Sequence, residues 1–306
     1  MASASAEHRS GIADTASLRI GFHEAGPADG FPVLLLHGWP YGPRIFDPVL
    51  PALAAAGLRV IVPAARGFAN TRFRDDDVLR SGQQAALGRD LLEFMDALGI
   101  ERAVLAGYDW GNRAASVVSA IWPERVAAFV SSPGYAILNT HALAEQPGDP
   151  AQLRQAWYRF VLNTPQGEIV LRDQREALAR QCWEAWSPRW QVPEDLFRDT
   201  VRALDNPDWA ATSLHCYRYW YGNAPGDPAL EELEARLRSK PAVTVPTIVL
   251  AGDSNSLYPT DKVRESLSFL RGHHEFRLLD GIGHCTPAEA PDAFIQAVAD
   301  AVRLAG

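Results

Sequence analysis

Three short stretches of this 306-residue chain combine residue types that can do chemistry. In Gly107-Tyr108-Asp109-Trp110-Gly111, two glycines flank a central carboxylate between an apolar run and a helical pattern. A turn that tight projects its central side chain in a strained, exposed position, and residues without a β-carbon let the backbone bend so sharply. A carboxylate presented this way is able to attack an electrophilic carbon, giving an ester that water then cleaves. The plainer alternative is that Asp109 merely caps the following helix. His37-Gly38-Trp39-Pro40 ends another apolar run, where the backbone N–H of Trp39, with that of Trp110, would stabilise an oxyanion. Gly281-Ile282-Gly283-His284 follows the last such run and offers an imidazole as a base; its plainer reading is a surface histidine.

These stretches need a scaffold, and the chain alternates short apolar runs with helical patterns, as buried parallel strands flanked by helices require. Strands are expected at Leu18 to Phe22, Pro32 to Leu36, Arg59 to Val62, Ala103 to Ala106, Ala127 to Val130, Thr247 to Leu250 and Glu275 to Leu279. Helices are expected at Gln84 to Leu98, Arg113 to Ile121, Thr260 to Leu270 and Pro291 to Leu304, with apolar residues three and four apart. The alternation stops between about Gly134 and Val243, a stretch too long for a plain loop that reads as helical. It holds Trp157, Trp183, Trp186, Trp190, Trp209 and Trp220, six of the nine tryptophans, which form a core of their own or line a cleft. The small-residue N-terminus is expected to fray.

Composition narrows the partners. With 47% hydrophobic residues the chain can bury one sizeable core or two. Twenty-nine Lys and Arg against 37 Asp and Glu give a net charge of −8, and without a basic run this disfavours nucleic acid and anionic membranes. No apolar stretch approaches the roughly 18 residues of a bilayer span, and the first twenty residues lack a secretory pattern, so a cytoplasmic protein is expected. Cys182, Cys216 and Cys285 have neither disulfide-framework nor metal-ligand spacing, and Cys285 reads as packing. No metal and no organic cofactor is implied; a small apolar or weakly polar electrophile is the expected partner.

From Ser17 onward the chain resembles the α/β-hydrolase superfamily, and more closely its epoxide hydrolase and haloalkane dehalogenase branch. HGWP at 37–40, GYDWG at 107–111, GIGH at 281–284 and the helical insertion carry the resemblance. It implies an α/β-hydrolase fold, mostly parallel sheet flanked by helices, with residues 1–133 and 244–306 forming the core and 134–243 a helical cap. It also implies Asp109 as nucleophile, His284 as base, and His37, Gly38, Trp39 and Trp110 around the oxyanion. Tyr158 in WYRFVLNTP and Tyr217 in CYRYW are similar to the family's paired tyrosines, which hydrogen-bond an epoxide oxygen. A dehalogenase more typically has asparagine where Trp39 stands.

The chain departs from the pattern where the acid that orients the histidine is expected: Gly252 and Pro259 align that position with Asn255. Asn255 as a neutral orienter, Asp253 as a displaced acid, and lost turnover all stand as readings; Ser131 and Ser132 offer no carboxylate. Arg113 matches an arginine with which fluoroacetate dehalogenases grip a carboxylate, or it pairs with Asp90 or Asp109. Ser254 imitates a serine elbow, but Ser256 replaces the closing glycine. The expected activity is epoxide hydrolysis through an ester on Asp109. The alternatives are haloalkane or haloacid dehalogenation, with Trp110 holding the halide, and a ligand-binding pseudo-enzyme.

Overall fold

The computed structural model describes residues 9–145 and 148–306. Nine strands form one mixed sheet: β1 (Arg9–Asp14), β2 (Leu18–Ala25), β3 (Phe31–Leu36), β4 (Leu58–Pro63), β5 (Arg72–Phe73), β6 (Ala103–Tyr108), β7 (Val126–Ser132), β8 (Thr247–Gly252) and β9 (His274–Leu279), in the order β1-β2-β4-β3-β6-β7-β8-β9 with β5 on β2. Every pairing from β4 to β9 is parallel, whereas β1, β4 and β5 pair antiparallel with β2. β6, β7 and β8 are buried along their whole length, which is why their sequences are continuous apolar runs. β1 has one buried residue, Ala13, and so no apolar pattern marks it as the edge strand it is. The N-terminal segment expected to fray begins with residues 1–8, which lie outside the described residues.

Helices Gln84–Ala97 and Trp110–Ile121 pack together on the sheet, and Pro291–Ala305 packs on β6, β7 and β8. The expected Arg113–Ile121 helix begins three residues earlier, because Asp109 itself supplies the cap by accepting the Trp110 N–H. The expected Thr260–Leu270 helix is an α-helix to Ser266 and a 3₁₀ turn over Leu267–Phe269.

Between β7 and β8 the described residues are helical, from Thr140–Glu145 to Glu231–Arg238, with no strand among them. The aromatic residues of this insertion join the same buried cluster as the sheet. Polar contacts seat it on the core. Buried Glu234 caps the start of helix Gln84–Ala97, one oxygen accepting the Ala85 N–H at 2.9 Å and the other the Gln84 amide at 3.2 Å. Among the described residues no helix is long and apolar enough to cross a membrane.

Parallel register gathers the chemistry on one edge. Leu36 of β3 lies opposite Gly107 of β6, Gly107 opposite Ser131 of β7, and Gly252 of β8 opposite Leu279 of β9. The turns after β3, β6, β8 and β9 therefore emerge side by side, at the carboxyl ends where such sheets hold ligands. Gly111 packs against β3 so closely that a β-carbon would lie 2.0 Å from the Leu36 carbonyl oxygen. Gly111→Ala is expected to destabilise the fold by about 2 kcal/mol or more, read from the midpoint of urea unfolding.

Candidate active site

The turn after β6 holds Asp109 at φ 53°, ψ −120°, a conformation that side chains rarely adopt. Its backbone is pinned on both sides: the N–H donates to the Ser132 carbonyl at 3.2 Å, and the carbonyl accepts from Arg113 at 3.0 Å. The bend needs Gly107 and Gly111 together, since a β-carbon on Gly107 would stand 2.6 Å from the Gly111 carbonyl carbon. Gly38 completes the approach; a β-carbon there would lie 2.5 Å from that of Asp109.

The two carboxylate oxygens have different surroundings. Oδ1 accepts the backbone N–H of Trp39 at 2.8 Å and that of Trp110 at 2.7 Å. Oδ2 faces the His284 ring, with Nε2 3.4 Å away, too long and poorly aligned for a formed hydrogen bond. Burial alone would raise the Asp109 carboxyl, but His284 and the two N–H groups outweigh it and hold it below the ordinary carboxylate range. The carboxylate stays ionised, with one oxygen clasped and the other next to an imidazole. Asp109 also lines a cavity of about 90 Å³ with Asn112, Arg113, Tyr135 and Tyr258.

His284 is fully buried, its ring packed near Trp186 (centroids 5.1 Å apart) and Tyr258 (5.7 Å, nearly parallel). Behind it stands Asn255. The Asn255 Oδ1 accepts the N–H groups of Leu257 and Tyr258, each at 3.1 Å, so the amide must turn its NH₂ toward His284 Nδ1, 3.4 Å away. The amide approaches the ring as a donor and so offers no acceptor to an Nδ1–H. Asp253 does not reach the histidine: it is exposed, and its Oδ1 accepts the Gly281 N–H at 2.8 Å. Tyr158 and Tyr217 are both buried in the helical insertion and meet the Trp39 side chain, whose residue donates its backbone N–H to Asp109. Each ring meets Trp39, at 5.0 and 5.1 Å, and they pack edge to face at 5.3 Å. Burial pushes both phenols well above their ordinary range, so both remain protonated donors.

Residues 32–291 match the family model described as alpha/beta hydrolase fold. The chain belongs to the α/β-hydrolase family. A crystal structure of a candidate epoxide hydrolase from Klebsiella pneumoniae superposes on this α/β hydrolase with a TM-score of 0.93 and 41% identity, covering 96% of this chain and 97% of that one. Epoxide hydrolase A of Mycobacterium tuberculosis is 24% identical over 92% of both chains. A haloalkane dehalogenase of Psychrobacter cryohalolentis is 24% identical over 79% of this chain and 73% of its own.

Other residues of this α/β hydrolase take positions that spacing does not predict. Arg113 pairs with neither Asp90 nor Asp109: Arg66 holds Asp90 through two hydrogen bonds of 2.6 and 2.7 Å. Arg113 instead donates to the Ala136 carbonyl and lies 4.6 Å from the centroid of the Trp220 ring. Ser187 and Glu289 hold the histidine loop. The Ser187 hydroxyl accepts the His284 N–H at 2.9 Å and donates to Glu289 Oε1 at 2.7 Å, while Glu289 also accepts the N–H groups of Gly283 and Cys285. The sequence has no local signal for Ser187 or Tyr258, because their partners are distant in the chain. Cys285 is buried as packing.

His37 spends both ring nitrogens on backbone groups of the neighbouring turns. Nδ1 donates to the Gly38 carbonyl at 3.0 Å and Nε2 accepts the Ala65 N–H at 3.0 Å, which requires a neutral ring. Burial drives its pKa down to about 4. The unfolded chain therefore takes up this proton first: the stabilisation is full above about pH 6.5 and is lost progressively as pH falls toward 4. The loss amounts to on the order of 3 kcal/mol. Chemical unfolding across pH 7 to 4 is expected to show a shallower decline for His37→Gln than for wild type; parallel curves would contradict it.

Proposed function

We propose that the protein opens epoxides to diols through an ester on Asp109, with residues 134–243 as a cap over the site. The observation that carries this reading is the asymmetric setting of the Asp109 carboxylate, Oδ1 between two backbone N–H groups and Oδ2 toward His284. Oδ2 attacks a ring carbon, the carbon–oxygen bond breaks, and the ring oxygen takes a proton from a phenol, Tyr158 or Tyr217. Water then adds to the ester carbonyl as His284 accepts its proton, while the oxyanion forms on Oδ1 between Trp39 and Trp110. Diol release restores the carboxylate. Two protonated phenols packed on Trp39 support an epoxide, whose leaving oxygen needs a proton, over a halide, which leaves without one.

Dehalogenation by the same ester chemistry is the second reading, and one observation favours it. Among the described residues the buried indole N–H of Trp110, like those of Trp186, Trp209 and Trp220, has no hydrogen-bond acceptor, and Trp110 is the one of these whose backbone N–H binds Asp109. Halide release measured beside diol formation separates the two.

Asn255 affects the second half of the reaction. A donor facing Nδ1 leaves the tautomer that frees Nε2 as a base without an acceptor for its Nδ1–H, so that tautomer is disfavoured. The acid-to-amide change in a serine protease triad slows turnover by about 10⁴, in part through the wrong tautomer. The ester is therefore expected to form faster than it is hydrolysed, appearing as a burst. In Asn255→Asp the carboxylate would keep the Leu257 and Tyr258 N–H groups on one oxygen and offer the other to Nδ1–H. Ester hydrolysis is expected to speed at least about tenfold, checked by single-turnover quenched flow; an unchanged rate would remove Asn255 from this role. His284→Phe is expected to trap the ester as an intact-mass increase equal to the substrate. If no reactive epoxide or alkyl halide ever shifts the mass, Asp109 is not a covalent nucleophile.

A further inference from the structure

Arg159 lies beside Tyr158 on the short helix Trp157–Leu162 and brings a positive charge into the tyrosine cluster. Among the described residues it has no carboxylate partner, unlike Arg66 with Asp90. Its guanidinium is held instead by aromatic faces, 5.3 Å from the Trp220 centroid and 5.6 Å from that of Tyr158, and the phenols of Tyr217 and Tyr258 face it. Arg159 is half-buried, and a cation partly withdrawn from water without a counter-ion is unfavourable unless other groups accept its hydrogen bonds. The Tyr158 hydroxyl oxygen is one such acceptor: Nε donates to it at 3.1 Å.

That bond constrains the phenol. With its oxygen accepting from the guanidinium, Tyr158 keeps its own proton for another acceptor, and its ring stacks on Trp39, whose backbone N–H binds Asp109. We propose that Arg159 is a positioning residue that aims the Tyr158 proton at the leaving oxygen and offsets the negative charge passing through the phenol as the ring opens, a role resting on the epoxide reading above. The electron pair of the broken carbon–oxygen bond goes to the ring oxygen, the Tyr158 proton follows it, and the phenolate left behind is paired with the guanidinium until it is reprotonated during ester hydrolysis. Arg159 also opposes the rise that burial imposes on this phenol, which makes Tyr158 a stronger acid than its setting alone would allow.

The test isolates ester formation, followed by intact mass in the His284→Phe background with an epoxide in single turnover. Arg159→Met is expected to slow it by about tenfold, the scale of one hydrogen bond to a charged group, and Arg159→Lys to recover part of the loss. The decisive step is a double-mutant cycle: once Tyr158→Phe is present, Arg159→Met should change the rate less than twofold. Equal slowing with and without the Tyr158 hydroxyl overturns the proposal, because a merely structural residue would act in both. A second readout needs no reaction. In protein labelled with ¹³C at tyrosine Cζ, the Tyr158 resonance should move in Arg159→Met, and an unmoved resonance overturns the hydrogen bond and the role with it. Should the His284→Phe protein form no ester with any epoxide, the preceding reading fails, and the resonance alone decides whether Arg159 holds Tyr158.

Discussion

A carboxylate held at a positive φ, with one oxygen clasped by two backbone N–H groups, is the constraint around which this molecule is arranged. Asp109 adopts that conformation only because Gly107, Gly111 and Gly38 allow backbone to approach where any side chain would collide. The N–H donors come from turns after two different strands, β3 and β6, so their meeting depends on the parallel register that sets Leu36 beside Gly107. Preorganisation of this kind is effective because the donors need no reorientation when charge develops. The sheet's interior register and the site's chemistry are one property seen at two scales.

Around the carboxylate the electrostatics divide into two sides. On one, His284 is sealed among aromatic rings and meets the amide of Asn255. On the other, Tyr158 and Tyr217 are kept protonated by burial, with the arginine next to Tyr158 moderating that effect.

What the sequence discloses follows from whether a constraint is local. Strands buried on both faces, such as β6 and β8, write themselves as apolar runs, while edge strand β1 buries only Ala13 and stays silent. The elbow is legible because its glycines and its aspartate lie within five residues. The start of the following helix is not, since a side chain inside the turn serves as its cap. Near Gly252 the sequence brings Asp253 and Asn255 equally close to the histidine. The choice is made by the backbone N–H groups of Leu257 and Tyr258, whose directions no spacing encodes. Ser187 and Tyr258 are invisible for the same reason: the histidine each meets is brought there only by the tertiary fold.

The Ser187 hydroxyl joins the helical insertion directly to the main-chain N–H of His284 and to Glu289. Its position leaves almost no slack, for a β-carbon on Gly283 would stand 2.5 Å from Ser187 itself. Divergence of the insertion is accordingly tethered at one end. Its aromatic residues join the core of the sheet, but the corner bearing this hydroxyl travels with the histidine loop. A chimaera joining a foreign insertion to this sheet would lose the acceptor of the His284 N–H unless that corner came with it.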